Sequence, residues 1–316
     1  MSRRRYPHIT MDDLRSYPKV ELTEIQKNSP FASIFERPLA DIPRSSLEIL
    51  NGSPCNPQLA MPIEDRSDLF LPGEQAIEVG YCAMPDGTGF VANRIFFPDA
   101  TAEMIDWWMN FYPLEGIRLA MWLPNAHVDS YVKDPHLHTD ASGISLATRN
   151  WNREHYPTEG LGSLKESGLS CIRFYSPQEF GLDMHKVLVP PVKTHCSASV
   201  LLFGDSLAMF GEEIADASRR KDPDDKVPFN TLLHTVRPVV GGCEMRSRFS
   251  IGKGMHNGKP YTVEMPATID MEAVAWVRLR HTLQEMSNLA SFLPEVYNLC
   301  GGKISLPSSY TELSVT

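Results

Sequence analysis

His281 and Glu285 stand four residues apart in a run whose spacing predicts a helix from about Asp270 to Tyr297. Side chains at i and i+4 stack on one side of a helix, so an imidazole nitrogen and a carboxylate project toward a common point. Zinc accepts both ligand types, but two ligands do not make a zinc site. The alternative is an exposed ion pair contributing about 0.2–0.5 kcal/mol. Further ligands must come from other elements. His127 follows an apolar run ending Trp122-Leu123-Pro124-Asn125-Ala126, where a sheet can hand a ligand to a site. His136 and His138 form a His-x-His pair, but the preceding Asp134-Pro135 predicts a surface turn. Glu159, between Thr158 and Gly160, is a carboxylate beside a loop. Composition does not rank these candidates.

The helix that carries the pair has Asp270 as its cap and an apolar stripe of Trp276, Leu279, Leu283, Met286, Ala290 and Leu293. Arg280, Gln284, Ser287, Ser291 and Glu295 read as its solvated face, with His281, Glu285 and Asn288 between the two. Upstream, strands are expected from Ile77 to Cys82, over Phe90–Phe97 and over Ile117–Leu123. Others are expected at Ser170–Tyr175, Lys186–Val189 and Ala198–Phe203, with a helix at about Thr101–Phe111. The clearest hairpin joins Leu232–Arg237 to Glu244–Ile251 through Gly241-Gly242. Several antiparallel strands and one long terminal helix define an α+β fold, a curved sheet gripping a helix. Alternation turns His234 inward with Leu232 and Val236. It turns Arg246 and Arg248 outward, solvated or paired with acidic residues, and sets Arg237 and Glu244 as a cross-strand pair. Trp107-Trp108 reads as core or pocket wall.

The remaining composition bounds the class. A net charge of −9 argues against a nucleic-acid footprint. No run approaches the roughly 18 apolar residues that span a bilayer, and Arg3-Arg4-Arg5 has no apolar segment behind it, so no signal peptide or anchor is expected. The six cysteines show no C-x-x-C, which fits free thiols and a cytoplasmic location. No G-x-G-x-x-G before a helix, P-loop or G-x-S-x-G occurs. Residues 1–78, interrupted by prolines such as Pro7, Pro18, Pro30 and Pro43, read as an arm or small appended domain. Residues 79–303 read as the main domain and 304–316 as a tail.

Several blocks then carry a resemblance. Phe90-Val91-Ala92, Trp107-Trp108 and Ile117-Arg118…Trp122-Leu123-Pro124…His127 come first. Thr158-Glu159-Gly160, Ile172-Arg173-Phe174 and His234-Thr235-Val236-Arg237-Pro238 follow, then Gly241-Gly242-Cys243-Glu244-Met245-Arg246-Ser247-Arg248-Phe249. His281…Glu285…Asn288-Leu289-Ala290…Phe292-Leu293-Pro294-Glu295 closes the set. In this order they resemble the zinc-dependent 2,4-diacetylphloroglucinol hydrolases and phloretin hydrolases.

That resemblance implies a Bet v 1-like helix-grip domain, an N-terminal segment used in homodimerisation, and zinc held by His127, Glu159, His281 and Glu285. It implies His234 as a proton-transfer histidine, with Glu159 also catalytic. Glu154 and Glu166 are the alternatives to Glu159, and His155 is a competing imidazole. The implied reaction is hydrolysis of a carbon–carbon bond beside a ketone in an acylated aromatic or polyketide-derived substrate. Trp107, Leu119, Trp122, Phe249 and Asn288 are the expected substrate contacts. Leu119 and Phe249 replace two tyrosines of the phloroglucinol-cleaving pattern, which predicts a more apolar substrate. A metal-dependent cyclase or lyase, or a non-catalytic binder of apolar ligands, are the other readings.

Overall fold

The computed structural model describes residues 6–307 apart from 162–163, 165–166, 187–192, 202–228, 264 and 266–267. Four short helices open the chain: α1 (Met11–Ser16), α2 (Glu24–Lys27), α3 (Ala32–Phe35) and α4 (Arg44–Leu50). Then come β1 (Gly80–Ala83), β2 (Gly89–Pro98), α5 (Ala102–Phe111), α6 (Gly116–Ala120) and β3 (His127–Val132). β4 (Glu154–Glu159), β5 (Gly168–Tyr175), β6 (Lys193–Leu201), β7 (Phe229–Val239) and β8 (Gly242–Ile251) complete one sheet. A small ribbon of β9 (Lys253–His256) and β10 (Lys259–Thr262) precedes the long helix α7 (Met271–Leu299).

The eight strands run in the order β1-β2-β8-β7-β6-β5-β4-β3, and every neighbouring pair is antiparallel. The sheet is strongly curved, and one contact proves it. α7 packs on β1 and β2 at one edge, yet His281 Nε2 on that helix lies 3.4 Å from His127 Nε2 on β3, the opposite edge. Strands spaced about 4.8 Å apart would place those edges some 30 Å from each other in a flat sheet. The sheet therefore closes around α7 as a grip, and the α+β expectation holds.

The local signals for α7 and the hairpin hold as well. Asp270 caps the helix by accepting from Ala273 N at 3.2 Å. β7 and β8 meet through Val240-Gly241, with Gly241 at φ +81°, a conformation that favours glycine. Arg237 stands opposite Glu244 and pairs with it at 2.7 Å.

Three expectations fail for physical reasons. Ile117–Leu123 is not a strand: residues Gly116–Ala120 form α6, since a short run buried on every side fits helix or strand equally. His127 consequently opens a strand rather than following one. The stripe Arg280, Gln284 and Ser287 is not solvated; these residues are buried. The N-terminal segment lies along it and supplies the cover. Tyr6 stacks on Trp276 with centroids 4.8 Å apart, Arg280 lies over Tyr17, and Trp276 Nε1 donates to Leu50 O at 3.0 Å. Arg37 forms a two-point contact with Glu295, which remains exposed. The arm thus packs on its own body. Of the expected strand Lys186–Val189, Lys186 ends a 3-10 turn and the rest lies outside the described residues, as does the end of Ala198–Phe203.

Arg246 and Arg248 are paired, not solvated, and both are buried. Glu78 receives Arg246 Nε at 3.1 Å and Arg248 Nη2 at 2.7 Å, while the two guanidinium groups also reach Leu69 O and Ile77 O. Burial pushes the Glu78 carboxyl up, but the two arginines outweigh this and hold it down at about 2. Its unfolded value is near 4.3. Because the folded value is the lower, the stabilisation is complete above about 4.3 and disappears as the pH falls from there toward 2. Glu78→Gln leaves two buried cations without a counter-ion and is expected to cost about 3–5 kcal/mol. Urea titrations of both proteins at neutral and acidic pH check this: the gap should shrink on acidification, and an equal gap at both ends refutes it.

Candidate metal centre

β3 and β4 pair so that His127 and Glu159 are directly opposite, with a register shift just after His127. Opposed side chains in an antiparallel pair sit close enough to act together. On β4, alternation sends His155, Pro157 and Glu159 to one face and Glu154 and Tyr156 to the other. Glu154 accordingly receives Tyr156 OH at 2.5 Å and faces away from the centre. α7 brings His281 and, one turn on, Glu285.

Four side chains converge. His127 Nε2 lies 3.4 Å from His281 Nε2, 3.4 Å from Glu159 Oε2 and 3.7 Å from Glu285 Oε2. His281 Nε2 lies 3.8 Å from Glu159 Oε2 and 3.6 Å from Glu285 Oε2. A tetrahedral ion with bonds near 2.0–2.1 Å needs ligand atoms roughly 3.3–3.4 Å apart. Among His127, Glu159 and His281 the observed separations are close to that spacing, slightly relaxed. The buried His127, Glu159 and His281 could therefore bind a metal ion, with Glu285 beside them.

The donor chemistry fits a cation. His127 Nδ1 faces Leu119 O at 3.3 Å, and a carbonyl only accepts, so the proton sits on Nδ1 and the Nε2 lone pair points to the cluster. Burial drives His281 well below the ordinary imidazole range, which keeps its ring neutral. Burial also pushes Glu285 up to about 7, and the neighbouring Glu159 pushes the same way. Burial raises the Glu159 carboxyl, but the imidazoles facing it and the Arg278 guanidinium outweigh this and hold it down at about 2.

His127, Glu159 and Glu285 of the cluster form part of the wall of a pocket that opens toward solvent. Leu119, Trp122, Phe249 and His234 line it as well. Trp122 donates to Glu285 O at 2.9 Å and sets its ring edge against His127. His234 stands opposite Ser247 in the β7–β8 register, with Nδ1 2.7 Å from Ser247 Oγ.

Other expected residues are elsewhere. Asn288 is a brace: its Nδ2 donates to Met121 O and Trp122 O, and its Oδ1 accepts from Ala40 N. Trp107 is core, stacked on Phe111 with Nε1 donating to Lys303 O. Neither lines the cavity. His155 is turned to Tyr112, whose hydroxyl lies 2.9 Å from its Nδ1. His138 is buried against His155 rather than sitting on a surface turn, because the 3-10 turn Pro135–His138 points it inward; His136 is exposed. Glu166 lies outside the described residues.

The residues read from the sequence omit one lining side chain of note, Arg278. Its signal was present, since it sits three residues before His281 on the same helical row.

A sheet closed on a helix, with two histidines and two carboxylates gathered beside a pocket, defines a helix-grip protein with a candidate metal centre. Residues 59–298 match the DAPG hydrolase PhiG domain, and the chain belongs to that family. It is 26% identical over 289 residues to phloretin hydrolase of Eubacterium ramulus, covering 88% of this chain and 93% of that one. It is 28% identical over 286 residues to 2,4-diacetylphloroglucinol hydrolase of a Pseudomonas species, covering 87% and 90%. Among solved structures, Ara h 8.0201 aligns with a TM-score of 0.33 at 5% identity, over 66% of this chain and 99% of that one. Protein CV1439 from Chromobacterium violaceum aligns with a TM-score of 0.32 at 13% identity, over 65% and 96%. No helix among the described residues is long and apolar enough to cross a membrane.

Proposed function

We propose that this chain is a zinc-dependent hydrolase that cleaves the carbon–carbon bond between a ketone carbonyl and an electron-rich ring or enolisable carbon. The convergence of His127, Glu159, His281 and Glu285, three of which (His127, Glu159 and Glu285) line one largely apolar pocket, carries this reading. The names of the two hydrolases above support it. An all-nitrogen-and-oxygen donor set without thiolate suits a catalytic zinc. Such an ion supplies Lewis-acid polarisation of a carbonyl oxygen and lowers the pKa of water.

The protein's own side chains do the rest. Leu119, Trp122 and Phe249 hold the apolar body of the substrate and exclude water from the breaking bond. Water adds its oxygen to the ketone carbon; the carbon–carbon bond breaks, and its electron pair goes to the ring carbon. His234, oriented by Ser247, takes a proton from that water and returns it to the ring carbon. The products are a carboxylic acid and the protonated ring, so one water is consumed and nothing is oxidised. Leu119 and Phe249 carry no hydroxyl, so a polyhydroxylated ring would find fewer partners here than a more apolar ketone.

The test is metal analysis of the purified protein with turnover of an acylphloroglucinol and of a 1,3-diketone, each with and without chelator. Roughly one zinc per chain and acid release that stops with chelator are expected. A metal-free protein whose turnover ignores chelator removes the proposal.

A further inference from the structure

Arg278 is a buried cation that the proposed reaction does not use. It is 5% exposed and lines the same cavity as His127, Glu159 and His234. Its Nη2 is buried with no hydrogen-bond partner, and the guanidinium makes no hydrogen bond to any described residue. Its Cζ lies 5.4 Å from the ring centroid of Phe249, within reach of a cation–π contact. Burying a guanidinium with its donors unmet is costly, and an arginine cannot shed its proton to escape the cost. Among the described residues, the carboxylates acting on it are Glu159 and Glu285. With those two committed to a dication, the charge on Arg278 has no counter-ion among the described residues.

We propose that Arg278 is a specificity determinant that receives a carboxylate of the substrate, so that the ketone cleaved here is an acidic one. A guanidinium takes a carboxylate through two parallel hydrogen bonds, which orients as well as attracts. The helix supplies a ruler. Arg278 precedes His281 by three residues, about 4.5 Å of rise, so the carboxylate stands two or three carbons from the carbonyl that meets the His–Glu cluster. The apolar walls take the remainder of the molecule. This inference rests on reading the cavity as the substrate site.

The probe is 4-oxo-4-phenylbutanoate against its uncharged amide, which has the same shape. Binding to the zinc-loaded protein is followed by quenching of tryptophan fluorescence, because Trp122 is in the cavity wall. The acid is expected to bind about tenfold or more tightly than the amide, and Arg278→Met to abolish the difference. Absence of a preference in the wild type overturns the proposal. So does a preference that survives in Arg278→Met, which would place the acid on the histidine–glutamate cluster. Circular dichroism checks that the variant folds. If it does not, Arg278→Lys replaces it: one ammonium cannot make the two-point contact, so the preference falls to a few-fold, and an undiminished preference overturns the assignment. Binding is read without turnover. A preference with no ketone cleavage keeps Arg278 and removes the hydrolase; cleavage with no preference does the reverse.

Discussion

His281→Ala is expected to lose its bound metal and its hydrolytic activity while keeping its fold. The imidazole is 1% exposed and its Nε2 faces both His127 and the two carboxylates, so no other side chain can move into its place. If four ligands share about 10–16 kcal/mol of binding, one is worth roughly 3–4 kcal/mol, or two to three decades in affinity. Losing the several kcal/mol of transition-state stabilisation that a Lewis acid gives corresponds to about 10³-fold or more in rate. The helix itself survives, because Ala275, Leu279, Leu283 and Leu289 anchor it and alanine is the best helix former. Metal content, acid release and circular dichroism on one preparation decide the matter. A folded variant that retains both zinc and rate would show that the convergence is a buried polar cluster without catalytic meaning.

His234→Asn is expected to separate proton transfer from metal binding. The amide can keep a hydrogen bond to Ser247, 2.7 Å from Nδ1 in the native protein, but it cannot carry a proton. General acid–base assistance is typically worth about 10²–10⁴-fold, so kcat should fall by that amount with zinc content unchanged. KM should move little, since the apolar wall is intact. The variant should also lose the limb of the pH–rate profile that an imidazole imposes. A KM effect with unchanged kcat would make His234 a packing residue of the β7–β8 face.

Short-range order was legible before any coordinates. The Asp270 cap, the stacking of His281 over Glu285, the Gly241 turn and the Arg237–Glu244 pair all depend on residues within a few positions of each other. Helical and strand periods act over that distance, so the spacing reports them. The resemblance added His127 and Glu159, which no spacing argument ranked.

What the spacing hides is contact between residues far apart in the chain. The curvature that brings β3 onto α7, the β3–β4 register that sets His127 opposite Glu159, and the Glu78 carboxylate that holds Arg246 and Arg248 are of this kind. So is the cover laid by Tyr6, Tyr17 and Leu50 over Trp276 and Arg280, which turned an expected wet face into an interior. Polar residues at helical spacing look solvated until something distant buries them, and no local period encodes the partner. Arg278 shows the point most sharply: on sequence it is one more charge on a helix, and only the closed sheet makes it a buried cation lining a pocket.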